Sequence, residues 1–281
     1  MRIYKFGGAS VKDANGVKNL ITILNTLGSE KTLIVVSAMG KTTNSLELVV
    51  KNYFDNKEEL QYSINEVFTF HNKILNDLFN DNKHQIFSDV KEILENLRIF
   101  LKRNKSPDYS FVYDQVVIFG EILSTKIINS YLNHSNIRCN WLDARTLIKT
   151  DSKYRDANLN WEITKNSISD GVNTKLLNIT QGFIASDSNN FSTTLGREGS
   201  DYTAAIFAYC LNAESVTIWK DVPGVLNADP RVFKKPQLLN KISYTEAIEL
   251  AFYGASVIHP KTLQPLQKKE IPLYVKSFLN P

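Results

Sequence analysis

The sequence predicts an α/β protein built around a mainly parallel sheet, and three observations carry that reading. Short β-branched runs alternate with helical stretches along the 281 residues. The helical stretches place apolar residues at three- and four-residue spacing, as helices lying on a sheet require. The composition, 43% hydrophobic and 22% charged, is that of an ordinary globular chain, which removes the disordered and fibrous classes.

The expected strands are 2–6, 32–37, 138–142, 177–184, 215–219 and 272–277. Expected helices on the sheet are 16–27, 200–211 and 243–253. Between residues 58 and 131 no strand is convincing. Its apolar positions (Ile64, Val67, Phe68, Leu75, Leu78 and Phe79, then Val90, Ile93, Leu94 and Leu97) describe two long amphipathic helices, read as an all-helical insertion in the first half. The polar turn 186–190 separates two β-like runs, and 234–240 is a loop around Pro236.

A net charge of +4 without a basic cluster is far from the face a nucleic-acid binder presents. The N-terminus reaches a glycine turn within a few residues and no apolar run approaches bilayer length, so neither a secretory leader nor a membrane anchor is expected and the location reads as cytoplasmic. Cys139 and Cys210 lack any metal-ligand spacing and read as inert core thiols. His71 and His259 read as packing or capping residues, and the Phe68, Phe79 and Phe100 stripe as core.

Three segments carry chemistry. In Lys5-Phe6-Gly7-Gly8-Ala9-Ser10 a strand ends in two glycines that let the backbone approach a phosphate, with Lys5 just before the turn. A strand-to-helix turn with an incidental lysine explains the same residues about as well. No P-loop and no dinucleotide fingerprint is present. In Thr194-Leu195-Gly196-Arg197-Glu198-Gly199-Ser200-Asp201, Ser200 suits a helix N-cap and Asp201 a first turn, but two glycines flanking Arg197 suit an anion site where a guanidinium grips a carboxylate. The third segment, 218–231, is mostly turn chemistry around Pro223-Gly224 and Asp229-Pro230. Asp221 and Arg231 sit there where a strand-end loop holds a nucleotide.

The strings KFGGASV near residue 5, SAMGKTTN at 37–44, FGEILS at 119–124, ITQGFIAS at 179–186, LGREGSDYTA at 195–204, WKDVPGV at 219–225, ADPR at 228–231 and YGASVIHP at 253–260 closely resemble, in this order, aspartate kinases of the amino acid kinase superfamily. The resemblance spans essentially the whole chain. It implies a three-layer α/β/α sandwich with a mostly parallel sheet of about eight strands, one catalytic domain over 1–281. An N-terminal lobe, 1–195, would hold L-aspartate and a C-terminal lobe, 196–281, ATP. It further implies Lys5 and Asp201 as the catalytic pair, and Thr43, Glu121, Arg197 and Ser200 as substrate-binding residues. Without the resemblance, Glu121 is a charged residue on a long helix and Thr43 a helix cap. Nucleotide contacts would fall to Lys5, Gly7, Gly8, Lys220, Asp221, Leu226, Arg231 and Ser256. No general base is needed, because an aspartate side chain ordinarily titrates near about 3.9 and the attacking β-carboxylate is already ionised at neutral pH. Magnesium is expected to accompany ATP, and no metal ligands are assigned.

Three positions depart from the family pattern. Lys220 replaces a usual Thr or Ser, Ser256 a common lysine that reaches ATP, and Leu226 a frequent tyrosine. The expectation is that Lys220 supplies the ammonium Ser256 lacks. The family usually continues into paired ACT modules, and none is expected in these 281 residues. A shortened chain, or else a naturally unregulated kinase, is expected, with homodimerisation left open. The rivals are another superfamily member, acting on glutamate, N-acetylglutamate, carbamate or a nucleoside monophosphate, and a catalytically silent ligand-binding relative.

Overall fold

A computed structural model describes residues 1–228, 232–253 and 258–281. The strands are β1 (Arg2–Phe6), β2 (Thr32–Val36), β3 (Cys139–Leu142), β4 (Leu177–Gln181), β5 (Ile184–Ser186), β6 (Ser192–Thr194), β7 (Ser215–Lys220) and β8 (Leu273–Ser277). Six of them form one sheet in the order β3-β4-β2-β1-β7-β8, parallel at every pairing, while β5 and β6 form a separate antiparallel pair. The helices are α1 (Ala14–Leu27), α2 (Thr42–Asp55), α3 (Lys57–Leu78), α4 (Gln85–Arg103), α5 (Tyr109–His134), α6 (Ala144–Leu147), α7 (Trp161–Gly171), α8 (Gly199–Leu211), α9 (Tyr244–Phe252) and α10 (Pro260–Lys268).

Alternation along the strands divides the core into two layers. Tyr4, Phe6, Ile34, Val36, Ile179 and Trp219 pack into one cluster with apolar residues of α1 to α5. Their neighbours Ile3, Leu33, Val35, Val216 and Ile218 pack into a second cluster with α8 and α10. The result is the expected three-layer α/β/α sandwich. Lys5 follows from the same alternation: it shares the parity of Ile3 and therefore faces α8.

Two expectations need correction. The main sheet has six strands rather than about eight, because β5 and β6 pair with each other outside it: the run 177–184 breaks, β4 ending at Gln181 and Phe183 turning the chain with φ +69°. The helical region holds three helices, not two. The third, α5, is buried on nearly every side, so it carries no apolar stripe to read.

Local sequence explains the helix ends. Asp13, Asp108 and Asn160 accept first-turn N–H groups of α1, α5 and α7, and Ser243 with Glu246 closes a capping box on α9. His259 caps α10, with Pro260 at its first position. His71 is buried with Nδ1 at 2.7 Å from the Val67 carbonyl, and desolvation lowers its pKa to about 4. Cys139 and Cys210 are buried free thiols, both with raised pKa. Among the described residues no helix is long and apolar enough to cross a membrane.

One buried carboxylate fixes α5 against the β5–β6 region. Asp114 accepts from Thr194 N at 2.9 Å, Thr194 Oγ1 at 2.8 Å and Arg155 N at 2.9 Å. Asp114→Ala strands those donors and is expected to cost about 3 kcal/mol. Urea unfolding at neutral pH measures it.

Candidate active site

β2, β1 and β7 are adjacent and parallel, so their C-terminal ends share one edge, the place where such sheets form ligand crevices. Lys5 is the penultimate residue of β1, Ser37 follows β2, and Lys220 ends β7. Lys5 lies in register with Ile218, so Lys220, two residues further on, stands on the same face. That face is covered by α8, whose first turn contributes Asp201. Lys5 Nζ is 2.7 Å from Asp201 Oδ1, and Lys220 Nζ is 3.7 Å from Oδ2.

Asp201 is almost wholly buried, and its carboxylate stands between the Lys5 and Lys220 ammonium groups. All three border a cavity of about 290 Å³ lined by Lys5, Ser37, Thr43, Glu121, Phe183, Gly196, Glu198, Gly199, Ser200, Asp201 and Lys220. The N-terminus of α8 opens on the same space, adding the positive end of the helix dipole. The side of the cavity formed by Lys5, Lys220 and the start of α8 suits an anion.

Glu121 supplies the contrasting feature. Carried by α5, it is buried, and its Oε1 accepts from Ala38 N at 3.2 Å. Oε2 has no hydrogen-bond partner among the described residues. Burial pushes the carboxyl up to about 8. A buried carboxylate with one oxygen unanswered is costly unless a donor or cation arrives.

The glycine turn after β1 works by close approach. A Cβ on Gly8 would lie 2.7 Å from the Ala38 carbonyl oxygen, and Gly40 N donates to Gly8 O at 3.0 Å, so the loops after β1 and β2 lie against each other. Gly7 sits beside the Lys5 ammonium, where a Cβ would come within 3.2 Å. Neither glycine lines the cavity.

Among the sequence candidates, the fold brings Lys5, Thr43, Glu121, Ser200, Asp201 and Lys220 to one cavity. The loop around Arg197 lines it through Gly196 and Glu198, but the Arg197 side chain is exposed and outside the lining. Asp221 is exposed, and Leu226 is half-buried in an isolated bridge to Leu238. Arg231 and Ser256 lie outside the described residues. Two caps are corrected. Ser200 is not the N-cap of α8: Glu198 is, with left-handed backbone, and Ser200 is the second residue of the helix. Thr43 lies inside α2, whose N-cap is Lys41.

Sequence reasoning missed Ser37, Phe183 and Glu198 in the lining. Ser37 and Phe183 each follow a strand or its glycine turn, and that position was the available signal.

The amino acid kinase family profile matches residues 1–277. Lysine-sensitive aspartokinase 3 of Escherichia coli is 31% identical over 99% of this chain and 62% of its own length. The chloroplastic bifunctional aspartokinase/homoserine dehydrogenase 2 of Arabidopsis thaliana is 30% identical over 99% of this chain and 31% of its own. The crystal structure of E. coli aspartokinase III in complex with aspartate and ADP superposes with a TM-score of 0.90 at 31% identity, over 100% of this chain and 62% of the other. The chain thus spans less than two thirds of the relatives named here. A parallel sheet whose strand ends gather Lys5, Lys220 and a buried Asp201, matched from end to end by the family profile, makes this chain a member of the amino acid kinase family.

Proposed function

We propose that the cavity is the active site of an aspartate kinase, which transfers the γ-phosphoryl of magnesium-bound ATP to the side-chain carboxylate of L-aspartate. The observation that carries this reading is the buried Asp201 carboxylate shared by Lys5 and Lys220 in the same cavity as the unanswered carboxyl of Glu121. A site with cations at one set of residues and a lone buried acid at another suits an ammonium-bearing acid next to a phosphoryl donor. The similar aspartokinases point the same way.

In this mechanism an oxygen of the β-carboxylate attacks the γ-phosphorus as the bond to the ADP oxygen breaks. Phosphoryl transfer asks mainly for positioning and charge neutralisation. The Lys5 ammonium balances charge on the moving phosphoryl, and Asp201 orients Lys5. Glu121 takes the substrate ammonium, while Arg197, swinging inward, takes the α-carboxylate. Thr43 and Ser200 add hydroxyl contacts. The magnesium would enter on the phosphates as part of the substrate, since this ion keeps several waters and leans on substrate phosphates.

Residues 1–195 would hold the amino acid and 196–281 the nucleotide, with Gly7, Gly8, Asp221, Leu226, Arg231 and Ser256 around the latter. Lys220 leads into Pro223, Gly224 and Val225, which border a second, more apolar cavity of about 750 Å³, and we place the nucleoside there. A cytoplasmic location belongs to the same reading.

The test is a hydroxamate trap of the acyl phosphate, with Mg-ATP and a panel of acidic amino acids. Product from aspartate alone supports the proposal. Product from glutamate or N-acetylglutamate instead, or binding without product, refutes it. Within that assay Lys220→Thr is expected to raise the KM for ATP about tenfold, since one charge-assisted contact contributes roughly 1.5–3 kcal/mol. An unchanged KM would end Lys220's part.

A further inference from the structure

The loop that forms one wall of the cavity is held from outside the cavity. Gly196 and Glu198 both have left-handed backbone, with φ +77° and +53°. For a non-glycine residue such a conformation persists where the surroundings over-determine it. Those surroundings come from the start of α10. Lys261 Nζ donates to the Leu195 carbonyl at 3.2 Å and pairs with Asp156 Oδ1 at 3.1 Å. The same ammonium lies 5.0 Å from the centre of the Tyr202 ring, which is buried in the first turns of α8.

Asp156 in turn rests against the loop. A Cβ on Gly196 would fall 2.6 Å from Asp156 Oδ1, so glycine at 196 lets the carboxylate rest there, and its φ of +77° favours glycine as well. A second grip lies at the other end of the loop, where Glu198 Oε2 accepts from His259 N at 3.1 Å. His259 is the N-cap of α10 and Lys261 stands in its first turn, so one helix start holds Leu195 and Glu198 together.

We propose that Lys261, acting with Asp156 and the His259 backbone, is a positioning residue that fixes the 195–199 loop and so holds Arg197 within reach of the substrate. Lys261 does not line the cavity; it acts through Leu195, Tyr202 and Asp156. An exposed ion pair contributes little by itself. Here the ammonium also serves a half-buried carbonyl and a buried ring, and its loss leaves that carbonyl without this donor. The identity of the substrate rests on the kinase reading, whereas the hold on the loop does not.

The experiment therefore has two readouts. Arg197 is exposed, so digestion of the full chain by an arginine-specific protease, followed by mass spectrometry, reports opening of the loop at that bond. Lys261→Met and Asp156→Asn are expected to speed the cut after Arg197 about tenfold while cuts after Arg98 and Arg103 keep their rate, because cleavage tracks the population of the locally open form. Lys261→Arg, which keeps the cation, should stay near the parent chain. In the hydroxamate assay the first two variants should raise the KM for the amino acid by more than they lower kcat, with the KM for ATP unmoved. An unchanged cut after Arg197 overturns the proposal, as does faster cutting at every arginine, which would mean general destabilisation. Asp156 is itself exposed, so its variant keeps the test open should Lys261→Met not fold. If the parent chain fails to phosphorylate aspartate, the kinase reading falls and the cleavage rates alone decide on the loop.

Discussion

Lys5→Met is expected to lower kcat for aspartyl phosphate formation by about 10²–10³-fold, the loss typical when one preorganised charge partner of a transition state is removed. The ammonium is buried beside Gly7 and aimed by Asp201 at 2.7 Å, so it need not reorganise as charge builds on the phosphoryl group. Methionine keeps the length and the apolar stem, and Lys220 still faces Asp201, so no bare carboxylate is left in the core. The fold should therefore survive, and a thermal melt close to that of the parent chain separates lost chemistry from lost structure. Asp201→Asn is the harsher change, because it removes the carboxylate from the buried Lys5 ammonium. It should lose both activity and stability.

Glu121→Gln should raise the KM for aspartate by about 30-fold or more, given the roughly 2–5 kcal/mol at stake when one partner of a buried charge pair is truncated. The effect has a pH signature. In the empty site burial holds the Glu121 carboxyl at about 8, so below that pH it is mainly neutral. An incoming ammonium favours the ionised form, and binding must then expel a proton. The KM for aspartate is expected to climb as pH falls below 8, by up to about tenfold per unit. Titration calorimetry at pH 7 in buffers of different ionisation enthalpy should register about one proton released on binding. Glu121→Gln should register none. A parent chain whose affinity is flat from pH 6 to about 9 would remove Glu121 from the ammonium site.

Much of this was legible in the sequence, for identifiable reasons. β1 alternates apolar Ile3 and polar Lys5 around aromatic Tyr4 and Phe6, and β2 is a β-branched and leucine run; each ends at a turn. The run 177–184 misled because Gly182 hides a turn in an apolar string: a Cβ there would lie 2.5 Å from Ser200 Oγ, so the chain bends to let α8 in. α5 was unreadable as a separate helix because burial on all sides erases periodicity. Glu121 illustrates the same limit at the site. As one acid on a long helix it carries no local mark of its burial, and only the fold turns it inward. Lys5 and Asp201 are 196 positions apart, and what joins them is strand parity plus the placement of α8, neither of which spacing reveals.

The most direct measurement is a crystal structure of the chain with L-aspartate and a non-hydrolysable ATP analogue. The expected density has the amino acid's ammonium on Glu121, its α-carboxylate on an inward-turned Arg197, and the side-chain carboxylate and terminal phosphate on either side of Lys5. Aspartate bound away from Glu121, or a terminal phosphate out of reach of both Lys5 and Lys220, would contradict the account.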